Sequence, residues 1–372
     1  MKKFSLRSAG LGIAAPLGAL IFALLLCALI LVITGHSPVE VVDQMVKSVQ
    51  RPRTVVNSLN SATTYYLSAV AVAIGFKMRL FNIGVDGQYR LAAMMAAAVG
   101  GATFMGSLPS FLRILMTIVV AMLVGAVWAG IAGFLKVTRG VSEVISTIML
   151  NAIATAVVAY LLNPARLAVS VAGSNNIGTA PITAGGQVPG FDYPGSSSKI
   201  FGLIFLAVLV GFLYWFMLNR TRFGFDLKAT GISESAAVAS GVNVKKMIVA
   251  SMLLSGGVAG LVGMPQLLGA SHSYALDFPS GLGFTGIAIA LLGRNHPVGM
   301  AFAALLWGFL DQASNVLDIS GVPKEIVVIM QGVIVLSVVI AYELVRRYRL
   351  RLEQREVGKA LGTTKIPAEV AS

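Results

Sequence analysis

The chain has 372 residues, 56% of them hydrophobic and only 12% charged, with a mean hydropathy of +0.84. That balance excludes a water-soluble domain of this size and indicates a polytopic membrane protein. The formal net charge of +13 would suggest nucleic acid in a soluble protein, but the basic residues cluster in short stretches between apolar runs, which is the positive-inside pattern rather than a DNA-binding face.

Taken in order, Lys2, Lys3 and Arg7 precede an apolar run from about Leu11 to Thr34, long enough to cross roughly 30 Å of hydrocarbon. The run is too long for a signal-peptide core and no small-residue cleavage site ends it, so it is expected to be a retained first span. Its Cys27 is the one cysteine of the chain, which excludes a disulfide framework or a cysteine-based metal site within one chain. His36 to Thr54 places Val39, Val42, Met45, Val46 and Val49 at helical spacing and predicts an amphipathic helix on the outer surface. A second span, about Val55 to Phe76, ends at Lys77 and Arg79. Then Phe81-Asn-Ile-Gly-Val-Asp-Gly-Gln88 interrupts the apolar pattern before it resumes over Leu91 to Met105. That interruption is either a cytoplasmic turn between spans or a re-entrant element, which is tolerated at membrane depth only under cover of protein or a cavity.

Spans four and five are expected at about Ile114 to Leu135 and Val144 to Leu162. Gly125, Ala129 and Gly133 form a small-residue stripe that allows close helix approach. Asn163 to Lys199, rich in Gly, Ser, Pro and Asn, is expected to be external, as a docking surface or an irregular loop. Span six, about Ile200 to Leu218, leads into the most polar interruption of the chain, Asn219 to Lys246. Span seven, Met247 to Leu268, carries Gly256 and Gly260 at packing distance. Gly281 to Gly293 is apolar but short, which predicts a short or broken eighth span. Span nine, about Val298 to Leu317, holds Asp311, Gln312 and Asn315, and span ten, about Glu325 to Tyr342, leads into Arg346, Arg347, Arg349 and Arg351. The expected architecture is thus all-α, with about ten transmembrane helices in one domain over 1–345 and a polar, poorly ordered tail over 346–372. On that assignment 21 of the 28 basic residues, Arg90 among them, fall on one side, which places both termini and the 219–246 loop in the cytoplasm.

No GxxxxGK[ST] loop, HExxH or GxSxG occurs, and His36, His272 and His296 lie far apart, so the chain carries no P-loop, metal or triad constellation. Gly281-x-Gly283-x-x-Gly286 matches the dinucleotide fingerprint without the strand that should precede it, and reads as backbone packing or a bend. In the polar loop, Thr230 to Ser240 is a short helix candidate with Ser233 as N-cap, Glu234 in the first turn and Gly241 at its end. Such a helix either lies at the interface alone or presses into a groove on a partner.

Several stretches carry a resemblance that bears on that choice. Thr221-Arg-Phe-Gly224, Ala229-Thr-Gly231, Glu234-Ser-Ala-Ala237 and Ser240-Gly-Val-Asn243 resemble the cytoplasmic loop of bacterial ABC importer permeases of the ribose and branched-chain amino acid type. Gly283-Phe-Thr-Gly-Ile-Ala-Ile-Ala-Leu-Leu-Gly293 with Pro297-Val-Gly299 is similar to the same family. Phe81 to Gln88 and Ser142-Glu-Val-Ile-Ser-Thr-Ile-Met-Leu-Asn151 resemble more narrowly the first permease of nucleoside importers that work with a basic-membrane-protein type lipoprotein. Asp86 stands where many relatives carry glutamate.

The resemblance spans about Val55 to Tyr342. It implies a permease in the bacterial plasma membrane that translocates a small polar solute, nucleosides first, with ribose or branched-chain amino acids as the alternatives. It also implies a cytoplasmic ATPase subunit, a second and different permease chain, an extracytoplasmic binding lipoprotein or periplasmic protein, no cofactor of its own and no nucleic acid. The ATPase would dock on Gly231, Glu234, Ala236, Ala237 and Gly241. Asn82, Asp86, Gln88, Asn151, Asp311 and Asn315 are the polar residues expected along the pathway, although an amide inside a span also serves simply as a bond between helices. The rivals are a membrane-embedded enzyme, which the absence of clustered nucleophile, base or metal ligands disfavours, and an ion-coupled secondary transporter. The transporter would usually carry buried carboxylates or histidines, which are few here.

Overall fold

The computed structural model describes residues 6–170 and 176–362, and its contacts divide into two compact units, Met1–Val42 with Gly321–Ser372, and Asp43–Ser320. In the first unit, α1 (Leu6–Ile33) packs along α14 (Lys324–Gly362), with the buried Cys27 facing the Met330 carbonyl. Of the 346–372 tail expected to be poorly ordered, 363–372 lies outside the described residues, and 346–362 is instead helical. It is rich in the straight-chain residues that favour helices, and Glu343 pairs with Arg346 and Arg347 at 3.0 and 2.8 Å where it begins.

Between Asp43 and Ser320 the chain is again mostly helical. The amphipathic α2 (Pro38–Val49) forms as predicted and leads to α3 (Pro52–Lys77). Next come α4 (Val85–Gly100), α5 (Ser110–Arg139) and α6 (Glu143–Leu161). The long polar loop folds into a small antiparallel hairpin, β1 (Ala168–Ser170) with β2 (Ile177–Thr179), with Val169 opposite Gly178. Beyond it lie α7 (Ile204–Arg220), α8 (Arg222–Ile232), α9 (Glu234–Ala239) and α10 (Val244–Gly260). A short α11 (Met264–Gln266) and a π turn over Leu267–Ser271 follow, then α12 (Leu282–Leu292) and α13 (Pro297–Ile319).

The core of this unit is α3, whose run from Leu67 to Gly75 is wholly buried among α7, α10, α12 and α13. Beside it α5 crosses α10 with backbones in contact. A Cβ on Gly125 would overlap the Gly256 carbonyl oxygen, and one on Gly260 that of Ala121. The two small-residue stripes expected from sequence therefore face each other, the arrangement that dispersion between backbones favours in lipid.

Among the described residues, four helices are long and apolar enough to cross a membrane alone: α5, α6, α10 carried on through Ser271, and α14 over Lys324–Tyr348. Counting the bent α1–α2 and α7–α8 pairs gives six. The remaining expected crossings are helices of a different kind. Asn57, Asn60, Ser61, Thr63, Thr64 and Ser68 lower the apolarity of α3, and Asp311, Gln312 and Asn315 that of α13, while α4 and α12 have only 16 and 11 residues. The short apolar stretch expected over Gly281 to Gly293 is helical as α12, opening at Gly281 with φ +81°.

Candidate functional site

From Asn82 to Gln88 the interruption is packed inside protein, while Phe81 at its edge is exposed. Asn82 and Gln88 are each 1% exposed. Asn82 Nδ2 donates to Gln88 Oε1 at 3.0 Å and to Ser255 Oγ at 2.8 Å, Gln88 Nε2 returns a bond to Asn82 Oδ1 at 2.8 Å, and Ser255 donates to the Ala71 carbonyl. Asn151 holds the same loop from α6, accepting from Gly87 N at 2.9 Å and donating to the Ile83 carbonyl at 3.0 Å. Asp86 lies in the first turn of α4 and accepts from Gly283 N at 3.4 Å in the first turn of α12. One carboxylate thus serves the positive ends of two helix dipoles. Arg90, counted above with a cytoplasmic stretch, is in fact within α4, its guanidinium 3.1 Å from the Thr155 hydroxyl. The geometry brings Asn82, Asp86, Gln88 and Asn151 together as a bonded lock between helices. Asn82→Leu leaves Gln88 and Ser255 short of a partner and is expected to cost about 2–4 kcal/mol, read as a lower unfolding temperature of the detergent-purified chain.

A separate cavity of about 520 Å³ opens between α3, the 198–201 stretch, α11 with its π turn, and α13. Its walls include Asn57, Asn60, Ser61, Thr64 and Tyr65 from α3, Phe201, Gln266, Phe278, and Asp311 with Gln312 from α13. The size falls within the roughly 300–1,000 Å³ of small-molecule sites. Several walls are fixed by local bonds. Asn60 donates to the Lys199 carbonyl at 2.9 Å and accepts from Phe201 N at 2.8 Å, which ties the Phe201 backbone to α3. Phe278 stacks on Tyr274 with centroids 4.7 Å apart. Glycines at 263 and 269 leave room for the Phe278 and Phe201 rings, which a Cβ would touch.

Charge at the cavity is nearly balanced. Lys199 pairs with Asp192 at 3.1 Å, and Asp311 supplies the one carboxylate of the wall. Burial lowers the pKa of His272, two residues beyond the lining, so the ring adds no charge at neutral pH. Of the pathway residues expected from sequence, Asp311 lines this cavity, while Asn315 is exposed and donates to the Asp311 carbonyl at 3.2 Å. Sequence reading missed Asn57, Thr64, Tyr65, Phe201, Gln266 and Phe278. The polar stripe on α3 was a signal within reach, whereas Phe201 and Phe278 come from distant loops. A second cavity, about 650 Å³ between α3, α7 and α13, is walled almost wholly by apolar groups such as Val208, Phe212 and Leu305, with Thr63, Tyr66 and Trp215 as its few polar side chains.

The polar loop is more helical than expected, with α8 and α9 meeting at Ser233. Ser233 N-caps α9, its Oγ accepting from Ala236 N at 3.3 Å, and Glu234 occupies the first turn. Gly241, with φ +83°, ends the segment. Gly231 is buried so tightly on the end of α3 that a Cβ would overlap the Lys77 carbonyl. Ala237 is buried, while Glu234 and Ala236 are exposed. Around them Phe225, Ile232 and Val238 are 68%, 75% and 61% exposed, an apolar set left uncovered by the described residues.

Comparison with known proteins adds independent findings. Residues 54–339 match the family described as "Branched-chain amino acid transport system / permease component". The chain is 35% identical over 330 residues to the guanosine ABC transporter permease protein NupP of Bacillus subtilis, covering 88% of this chain and 93% of that one. It is 29% identical over 368 residues to the nucleoside ABC transporter permease protein NupB of Lactococcus lactis, covering 96% and 97%. A second Lactococcus lactis chain, the nucleoside ABC transporter permease protein NupC, is 26% identical over 266 residues, covering 70% and 82%.

Proposed function

We propose, for a chain that belongs to the permease-component family of branched-chain amino acid transport systems, that it is a transmembrane subunit of an ATP-driven importer of nucleosides. The observation that carries this reading is the 520 Å³ cavity, in which Tyr65, Phe201 and Phe278 stand among amides, hydroxyls, a single carboxylate and a lysine engaged with Asp192. A nucleoside is neutral, carries a flat base and is studded with donors and acceptors, so aromatic faces and amide edges suit it. A branched-chain amino acid is a zwitterion with an apolar side chain and would need an apolar slot and a cation for its carboxylate, whereas Lys199 of the wall is engaged with Asp192. The relatives named for guanosine and nucleosides support the same substrate class.

The drive comes from a separate ATPase subunit docked on the cytoplasmic α8–α9 segment, centred on Glu234. Its motion has a direct route inward. Gly231 of α8 sits against the last turn of α3, and the other half of α3 supplies Asn57 to Tyr65 to the cavity wall, so a shift of the α8–α9 segment bears on the helix that shapes the site. The two arrangements need differ by only a few kcal/mol for docking to bias their balance. A second, non-identical permease completes the complex, a reading supported by the two distinct Lactococcus lactis chains that resemble this one. An extracytoplasmic binding protein delivers the solute on the side of the β1–β2 hairpin.

The test of the substrate class is competition. Labelled nucleoside uptake by cells expressing the complete complex should be displaced by unlabelled nucleosides and left alone by excess ribose or leucine. Displacement by leucine or ribose with no effect of nucleosides overturns the assignment.

A further inference from the structure

Within that cavity one side chain differs in kind from the rest. Its other polar walls are amides, hydroxyls and a lysine engaged with Asp192, and amides and hydroxyls both donate and accept. Asp311 alone is an acceptor with full charge. It is also held. Gln312 Nε2 lies 3.3 Å from its Oδ2 and 3.3 Å from Ser61 Oγ, and the Tyr65 hydroxyl bonds the same carboxylate from α3. Its backbone carbonyl accepts from Ser314 Oγ at 2.6 Å and from Asn315 Nδ2. A carboxylate inside a membrane segment is costly, and one whose orientation is fixed from two helices is set up to accept a pair of donors in a defined plane.

We propose that Asp311 makes this cavity selective for guanine over the other nucleobases, by accepting the adjacent N1–H and N2–H donors of the base. The inference rests on the nucleoside reading of the cavity. Guanine alone among the common bases places two donors side by side. Adenine and cytosine set an amino group beside a ring-nitrogen lone pair, which would face the second carboxylate oxygen. Uracil and hypoxanthine offer a single N–H flanked by a carbonyl oxygen or a C–H. The aromatic walls hold the base in plane without choosing among bases, so the choice falls to the carboxylate. A ribose diol also presents two donors, and the test separates it from the base.

The experiment uses the complete complex in proteoliposomes, with guanosine, inosine, adenosine and xanthosine as separate substrates and the binding protein unchanged, so that any change of ranking belongs to this chain. The wild type should import guanosine with a KM at least about ten-fold below that for inosine. Asp311→Asn keeps the shape but offers one acceptor and one donor. It should raise the guanosine KM by about ten-fold or more and improve xanthosine, whose carbonyl replaces the amino group. Tyr65→Phe, which loosens the carboxylate and keeps its charge, should shift the ranking less in the same direction, and it carries the test if Asp311→Asn does not assemble. An unchanged ranking in either assembled variant overturns the proposal. So does an equal loss for all four nucleosides, which would assign Asp311 to the ribose. A wild-type complex that imports no nucleoside at all overturns the nucleoside reading itself, and this inference with it.

Discussion

Deleting Ser233 to Val238 is expected to leave the membrane helices folded and to abolish substrate-stimulated ATP hydrolysis in the assembled complex. The segment is one short helix, capped by Ser233 and anchored through Ala237 alone. Its removal therefore strips little from the core. What disappears is the exposed surface formed by Glu234, Ala236 and Val238 beside Ile232. Losing a central anchor of a protein interface costs about 2–4 kcal/mol, so docking should weaken roughly 30- to 1,000-fold. Co-purification of the ATPase reads the docking, and the ratio of hydrolysis with and without substrate reads the coupling. A milder pair, Ile232→Ser with Val238→Ser, should weaken co-purification without shifting the unfolding temperature, because both side chains are already exposed. A deletion variant that still assembles and responds to substrate would remove α9 from the mechanism.

The second large effect is structural. Gly260→Leu should prevent the α5–α10 crossing from forming, because even a single Cβ there would overlap the Ala121 carbonyl oxygen. Backbone cannot yield as a flexible side-chain tip can, and overpacking of a tight core costs about 1–3 kcal/mol or more. A neighbouring glycine provides the control. At Gly257 a Cβ would meet its nearest atoms at 3.7 and 3.8 Å, an ordinary contact, so Gly257→Ala should be neutral or slightly stabilising through the lower entropy of the unfolded chain. The comparison is made on detergent-purified protein by thermal unfolding. Equal losses at 257 and 260 would mean that helix propensity rather than backbone contact governs this face.

Much of the helical layout could be read from apolar length and from the glycine stripes, since both follow from the thickness of the bilayer and the need for close packing. Gly256 and Gly260 announced a close crossing, though not that its other half would be Gly125 and its neighbours. The broken segments at Phe81–Gln88 and Gly281–Gly293 were visible as interruptions, and Ser233 was legible as a cap because capping is local chemistry. The site was less accessible. Asn82, Gln88 and Asn151 look in sequence like pathway residues, yet their amides bond one another and the loop they lock. Nothing local distinguishes an amide that meets solute from one that meets a helix. Tyr65, Phe201 and Phe278 come together only because α3, the 198–201 stretch and the loop after the π turn converge, a juxtaposition with no signature along the chain. Asp311 stands in the sequence only as one of several polar residues expected along the pathway, and the structure places it on the cavity wall.

The most direct test of an ATP-driven permease is uptake in proteoliposomes that hold the complete complex, with ATP supplied on the α9 side and no ion gradient. Nucleoside accumulation should require hydrolysable ATP, stop when the ATPase subunit is inactivated, and ignore the collapse of proton and sodium gradients. Accumulation that persists on an ion gradient alone, without ATP, would contradict it.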